Sequence, residues 1–244
     1  MADELRDATP VDANGQFGWY HPPSGAGART GVVLCNALGA EMLCAHAGWR
    51  QLAIRLAAAG LPTLRFDYAG TGDSSGDDRD PDRLGVWSRG IDSAIESLRK
   101  GAGVERVIVI GLRLGAPLAA AVAARRDDVA GFAALAPVVN GRGHARELAM
   151  LARLNRLRPD DAPPDADEIG GFGVNGFFVS DETQTAIKAL DLRRVAVPAA
   201  EILLLERENA ADADLAAAWR DQGARVETAV FEGYDIFMDS PTTT

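Results

Sequence analysis

The sequence predicts an α/β protein built on a mostly parallel sheet with helices on both faces. Three observations predict it. Short apolar, β-branched runs alternate with helix-spaced segments along most of the chain. One of them, Val-Ile-Val-Ile-Gly-Leu-Arg-Leu-Gly-Ala at 107–116, runs from a strand through a tight turn into an alanine-rich helix. The 244 residues, 47% hydrophobic and 25% charged, are enough for one domain with a sizeable core.

Each element follows from its own residues. Residues 1–11 read as a loose arm, and 16–21 as an edge strand stopped by Pro22 and Pro23. Residues 31–35 form a short buried strand. Trp49, Leu52, Ala53 and Leu56 recur at helical spacing over 46–59, and Gly60 ends the helix. A strand over 63–68 leads into the turn-forming loop 69–77. A helix over 82–99 carries Val86, Ile91, Ile95 and Leu98 on one face. The strand over 104–110, the helix over 116–126 and a buried strand over 129–139 come next. The alternation then breaks. Residues 140–194 hold a basic helix (144–158), a Pro/Asp-rich linker (159–167), a glycine-rich piece (170–176) and a second helix (181–190). This insertion reads as a small lid over the C-terminal edge of the sheet, which makes 1–139 and 195–244 the core. The pattern resumes with a strand over 200–205, a helix over 212–222 and a strand over 225–231. No covering helix is predicted after that strand, which points to a shortened or unusual end.

Composition excludes some functions. A formal net charge of −10 argues against a nucleic-acid partner. No apolar run is long enough to span a membrane, and the acidic start has no signal-peptide pattern. Cys35 and Cys44 lie outside any metal-ligand spacing and read as small core residues in a reduced, cytoplasmic setting. No cofactor and no metal are expected.

Three segments carry chemistry. The first is Leu-Cys-Asn-Ala-Leu-Gly-Ala-Glu-Met-Leu-Cys-Ala-His at 34–46. The second is Leu-Arg-Phe-Asp-Tyr-Ala-Gly-Thr-Gly-Asp-Ser-Ser-Gly at 64–76. The third is the strand–turn–helix at 107–116. Together they resemble the α/β-hydrolase superfamily, specifically its serine-aminopeptidase-like and exosortase-associated members. The resemblance implies an oxyanion loop in the first segment, a turn held by Ser74 and Ser75 in the second, and a G-x-S-x-G nucleophile elbow in the third. Gly111 and Gly115 meet the elbow's need for small residues, but its centre is Arg113. A guanidinium neither deprotonates nor attacks a carbonyl. The family's acid is expected after the strand at 200–205, where Glu206, Glu208 and Asp212 are candidates and Glu208 is taken as the acid position. Its histidine is expected after the last strand, and there Tyr234 follows Gly233. Of the histidines present, His21 and His144 read as surface residues, although His144 could overhang the pocket, and His46 reads as support for the oxyanion turn.

A cation at a helix N-terminus needs a negative partner. Two readings stay open. Glu41, Asp73, Asp235 or Asp239 neutralises Arg113 from within, and this reading is placed ahead. Alternatively Arg113, the Leu114 amide and an amide near Ala37 converge on a carboxylate or phosphate ligand, with His144 overhanging and Leu148, Phe172 and Phe177 lining the pocket. The basic lid helix, with Arg142, Arg146, Arg153, Arg156 and Arg158, is either a partner surface or a solvated face. The expected function is a pseudo-hydrolase that binds an acyl or anionic small molecule, or a protein partner. The alternative is an active hydrolase or acyl transferase that uses non-standard groups. An exposed last strand would add homodimerisation by edge pairing.

Overall fold

The computed structural model describes residues 8–13, 15–155, 170–197, 201–210 and 212–238. The described chain opens with two strands, β1 (Thr9–Asp12) and β2 (Phe17–His21), paired antiparallel. The sheet edge is therefore β1, and β2 is covered on both sides, by β1 and by β4 (Thr63–Phe66). Part of the expected loose arm is thus a strand. It is short and mostly exposed, and its Pro10 suits an edge position, so no hydrophobic alternation marked it.

The remaining sheet strands are β3 (Thr30–Cys35), β5 (Arg106–Leu112), β6 (Val129–Leu135), β9 (Glu201–Glu206) and β10 (Arg225–Val230). The eight-stranded order is β1-β2-β4-β3-β5-β6-β9-β10, and every pair from β4 to β10 is parallel. This is the predicted class. The central strands β3 and β5 are buried on both faces, which is why they read as unbroken apolar runs.

One face is covered by α2 (Arg83–Ala102), α3 (Gly115–Ala123) and α6 (Ala213–Asp221), which contribute Trp87, Ile91, Leu118 and Trp219 to the larger core. The other face is covered by α1 (Ala40–Ala58) through Ala45, Trp49 and Ala53. Helix α1 begins six residues earlier than its apolar spacing indicated, so Glu41 lies in its first turn. The chain also forms a short helix after the last strand, α7 (Tyr234–Phe237), whose Phe237 packs edge-on against Trp49 at 6.3 Å. No described helix is long and apolar enough to cross a membrane.

The segment after β6 supplies α4 (Gly141–Asn155), α5 (Asp181–Lys188) and an antiparallel hairpin of β7 (Gly171–Val174) and β8 (Phe177–Ser180). The glycine-rich piece is thus one arm of this hairpin. Its turn is Asn175-Gly176, with φ of 48° and 83°, a backbone pair suited to a two-residue hairpin. Ser180 caps α5 by accepting from the Thr183 amide. The expected linker at 159–167, with Arg156 and Arg158, lies outside the described residues.

His21 departs from its expected surface place. It is 4% exposed on β2, and its Nε2 accepts from Arg65 Nε at 3.2 Å. Burial, then the charges of Arg65 and Arg50, lower its pKa to about 4. The unfolded chain therefore binds this proton more readily. The neutral ring's contribution is complete above pH 6.5 and is lost as pH falls from 6.5 toward 4, a loss of about 2–3 kcal/mol. Urea unfolding at pH 7.5 and pH 4.5 is expected to show a smaller stability difference for His21→Gln than for the parent. An unchanged difference would mean that His21 titrates normally in the fold.

Candidate functional site

The turn joining β5 to α3 is as sharp as its glycines require. A Cβ on Gly111 would come closer than 3.0 Å to the Ala116 backbone, and one on Gly115 closer than 3.0 Å to the Asn36 and Cys35 carbonyl oxygens. Arg113 sits in the turn at φ 51°, a left-handed conformation that costs a non-glycine residue about 1–2 kcal/mol. Its carbonyl accepts from the amides of Ala116 and Val138, and its amide donates to Leu135 O. Those bonds to both flanking elements hold the conformation.

The Arg113 side chain is only 4% exposed, and each of its three nitrogens donates internally. Nε donates to Glu41 Oε1 at 2.7 Å, Nη2 to Glu147 Oε2 at 3.5 Å, and Nη1 to Ala136 O at 3.4 Å. Burial pulls the guanidinium pKa down, but Glu41, then Tyr234 and Glu147, outweigh it, and the net shift is upward. Of the four expected internal partners, Glu41 fills the role. Asp73 and Asp235 are exposed, and Asp239 lies outside the described residues. Glu147, on α4, was not foreseen. Sequence spacing cannot place an insertion helix against a turn 34 residues earlier.

The residues expected to act together are distributed unevenly. Tyr234 opens α7, with the Arg207 guanidinium 5.6 Å above its ring. Burial raises its pKa, Arg113 opposes the shift, and Glu41 adds to it. Tyr234 thus lies within electrostatic reach of Arg113 and keeps its proton at neutral pH. Glu208 is exposed in the turn after β9, and no described contact joins it to Arg113 or Tyr234. Glu206 accepts from the Asp212 amide, and Asp212 caps α6 through the Leu215 amide. The Ala37 amide donates to Asn36 Oδ1 at 2.8 Å, so it is already engaged. Leu114 is buried at the start of α3.

Above Leu114 lies a cavity of about 110 Å³. Leu38, Leu148, Phe177, Val179 and Ile187 supply apolar walls, and Glu41, Glu147 and His144 stand at one side. Phe172 packs away from it, against Ala152 and Val179. His144 is buried rather than a surface residue, and its Nδ1 lies 3.4 Å from Glu147 Oε2. The helical register of α4 turns it inward, while Arg142, Arg146 and Arg153 face solvent. His46 is exposed on α1. Ser74 donates to Asp67 O and Ser75 to Gly15 O, which holds the loop after β4. Cys35 is fully buried, and burial raises its thiol pKa well above the ordinary range. Cys44, on α1, does not line the cavity.

The sequence profile of the serine aminopeptidase S33 family matches residues 32–168, more than half of the chain. No curated protein sequence matches. Solved structures share the fold at low identity. Est1E from Butyrivibrio proteoclasticus, solved with ferulic acid bound, is 16% identical with a TM-score of 0.61, over 92% of this chain and 89% of its own. The proline iminopeptidase of Mycobacterium smegmatis is 16% identical with a TM-score of 0.61, over 92% and 90%. The α/β-hydrolase GrgF from a Penicillium species is 17% identical with a TM-score of 0.62, over 93% and 90%. At these identities the likeness is one of α/β-hydrolase fold alone.

Proposed function

Because the chain belongs to the serine aminopeptidase S33 family of α/β-hydrolases, we propose that the β5–α3 turn is its nucleophile elbow and that the protein binds a small molecule there without serine-type hydrolysis. One observation carries this reading. The residue at the elbow's centre is Arg113, and its head is tied to Glu41 and withdrawn from the cavity. An arginine held in this way neither attacks a carbonyl nor polarises a bound one. Tyr234 takes the place of the histidine, and its raised pKa makes it an acid rather than a base at neutral pH. The α4–β7–β8–α5 segment serves as a lid, closing the cavity with Leu148, Phe177 and Ile187. The walls suit an uncharged, largely apolar molecule such as an acyl compound.

Substitution at the elbow tests the reading. Arg113→Ser supplies a hydroxyl but no base, so its p-nitrophenyl ester hydrolysis is expected to stay within about tenfold of background. Turnover at ordinary esterase rates would show that another group serves as the base. A second reading, catalysis by non-standard groups, is favoured by His144, which lines the cavity with Glu147 at its Nδ1. Parent turnover abolished by His144→Phe would establish it.

A further inference from the structure

The charge balance around the cavity bears on what it holds. Glu41 and Glu147 both line it, and both engage the single guanidinium behind them. Two carboxylates therefore share one buried guanidinium, with the Arg207 charge the smallest of those acting on Glu147. The hydrogen bond from His144, then the Arg113 charge, hold the Glu147 carboxyl below its usual pKa, so it is ionised at neutral pH. The N-terminus of α3 at Leu114 opposes this with about half a positive charge, which does not offset the second carboxylate. The Ala37 amide, a second donor that an anion would use, is occupied by Asn36.

Among the described residues, the rest of the wall holds one further cation, Arg83, and it is paired. Its Nη1 lies 3.5 Å from Asp80 and Nη2 donates to Ala69 O, while its Nε is buried without a hydrogen-bond partner. Asp78 lines the wall as well. The charged side of the cavity thus carries net negative charge, and apart from Thr71, Asn175 and Thr183 most of the remaining lining is apolar.

We propose that the cavity selects a ligand with an apolar body and an uncharged hydrogen-bond donor as its head, a hydroxyl or N–H, and rejects an anionic head. This rests on the cavity-binding reading above. Burying an anion beside two carboxylates has no compensating partner, whereas a donor head satisfies acceptors already in place. The cavity volume is of the size that admits a single benzene-class ring.

Calorimetric titration with three size-matched probes tests it at pH 7: 4-ethylphenol, ethylbenzene and 4-ethylbenzoate. Ethylphenol is expected to bind most tightly, ethylbenzene less so, and ethylbenzoate at least about tenfold more weakly than ethylphenol. Glu147→Gln leaves one carboxylate facing one guanidinium and is expected to narrow the gap between phenol and benzoate. Leu148→Trp, which fills the cavity, is expected to abolish binding of all three, and thermal melts confirm that both variants fold. Benzoate binding as tightly as phenol, or a gap unchanged in Glu147→Gln, overturns the proposed selectivity and leaves the cavity as a binding site. Failure of all three probes to bind the parent overturns the cavity-binding reading itself.

Discussion

Replacing Glu41 with leucine is expected to cost about 2–4 kcal/mol of folding stability, although Glu41 is itself 28% exposed. The cost arises at Arg113. Its guanidinium is 4% exposed, and without Glu41 it keeps only Glu147, which is 52% exposed and 3.5 Å away, and the carbonyl of Ala136. A buried charge left with so little compensation is more damaging than the loss of an equivalent surface pair. Removing Glu147 instead should cost about 1 kcal/mol, because the 2.7 Å pair survives and Glu147 was already half in water. The double replacement Glu41→Leu with Arg113→Met should recover most of the loss, since both charges leave together. Urea unfolding of the parent, Glu41→Leu, Arg113→Met and the double variant measures the coupling. A Glu41→Leu loss below about 0.5 kcal/mol would show that the arginine swings out to solvent, and its role as a fixed internal cation would fall.

The same residues show what the sequence could reveal. The strand–turn–helix at 107–116 was legible because each part obeys a local rule: a β-branched run for a doubly buried strand, glycines where backbone meets backbone, and alanines for a helix pressed on the sheet. That Arg113 needs a carboxylate was also legible, from the electrostatics of a helix N-terminus. Glu41 was among the candidates, and the structure shows why it is the one that reaches: parallel pairing of β3 with β5 brings the loop before it beside the turn. Glu147 and the burial of His144 were not legible, since both depend on how an insertion helix lies across the core. His21 failed for a related reason. A short strand next to prolines reads as an edge, and only the pairing of β1 outside it makes it interior. The Asn175-Gly176 hairpin turn carried a usable signal, Asn-Gly between apolar residues, that the glycine-rich composition around it obscured.

The largest single-site effect is expected at Gly115, and its reason is steric. Gly115 opens α3, and the carbonyl oxygens of Cys35 and Asn36 lie against it where any side chain would begin. These are backbone atoms of the loop leaving β3, so they cannot move aside as a side-chain tip would. Gly115→Ala must either displace that loop or push α3 off the sheet, where Ala116, Leu118, Ala119 and Ala120 are fully packed. A loss of about 3 kcal/mol or more follows, which in a chain of this length lowers the melting temperature by roughly 6–12 °C. The displaced loop carries Asn36 and Ala37, whose internal bond closes one donor at the site, so a folded variant should also bind cavity probes more weakly. Gly143→Ala is the matched control. It lies in α4, a Cβ there meets nothing within 4 Å, and the change should stabilise by about 0.5–1 kcal/mol. Scanning calorimetry of both variants distinguishes the two cases. A Gly115→Ala protein melting within a degree or two of the parent would mean that the loop after β3 yields, and the close approach of that loop to the turn would not be what fixes the site.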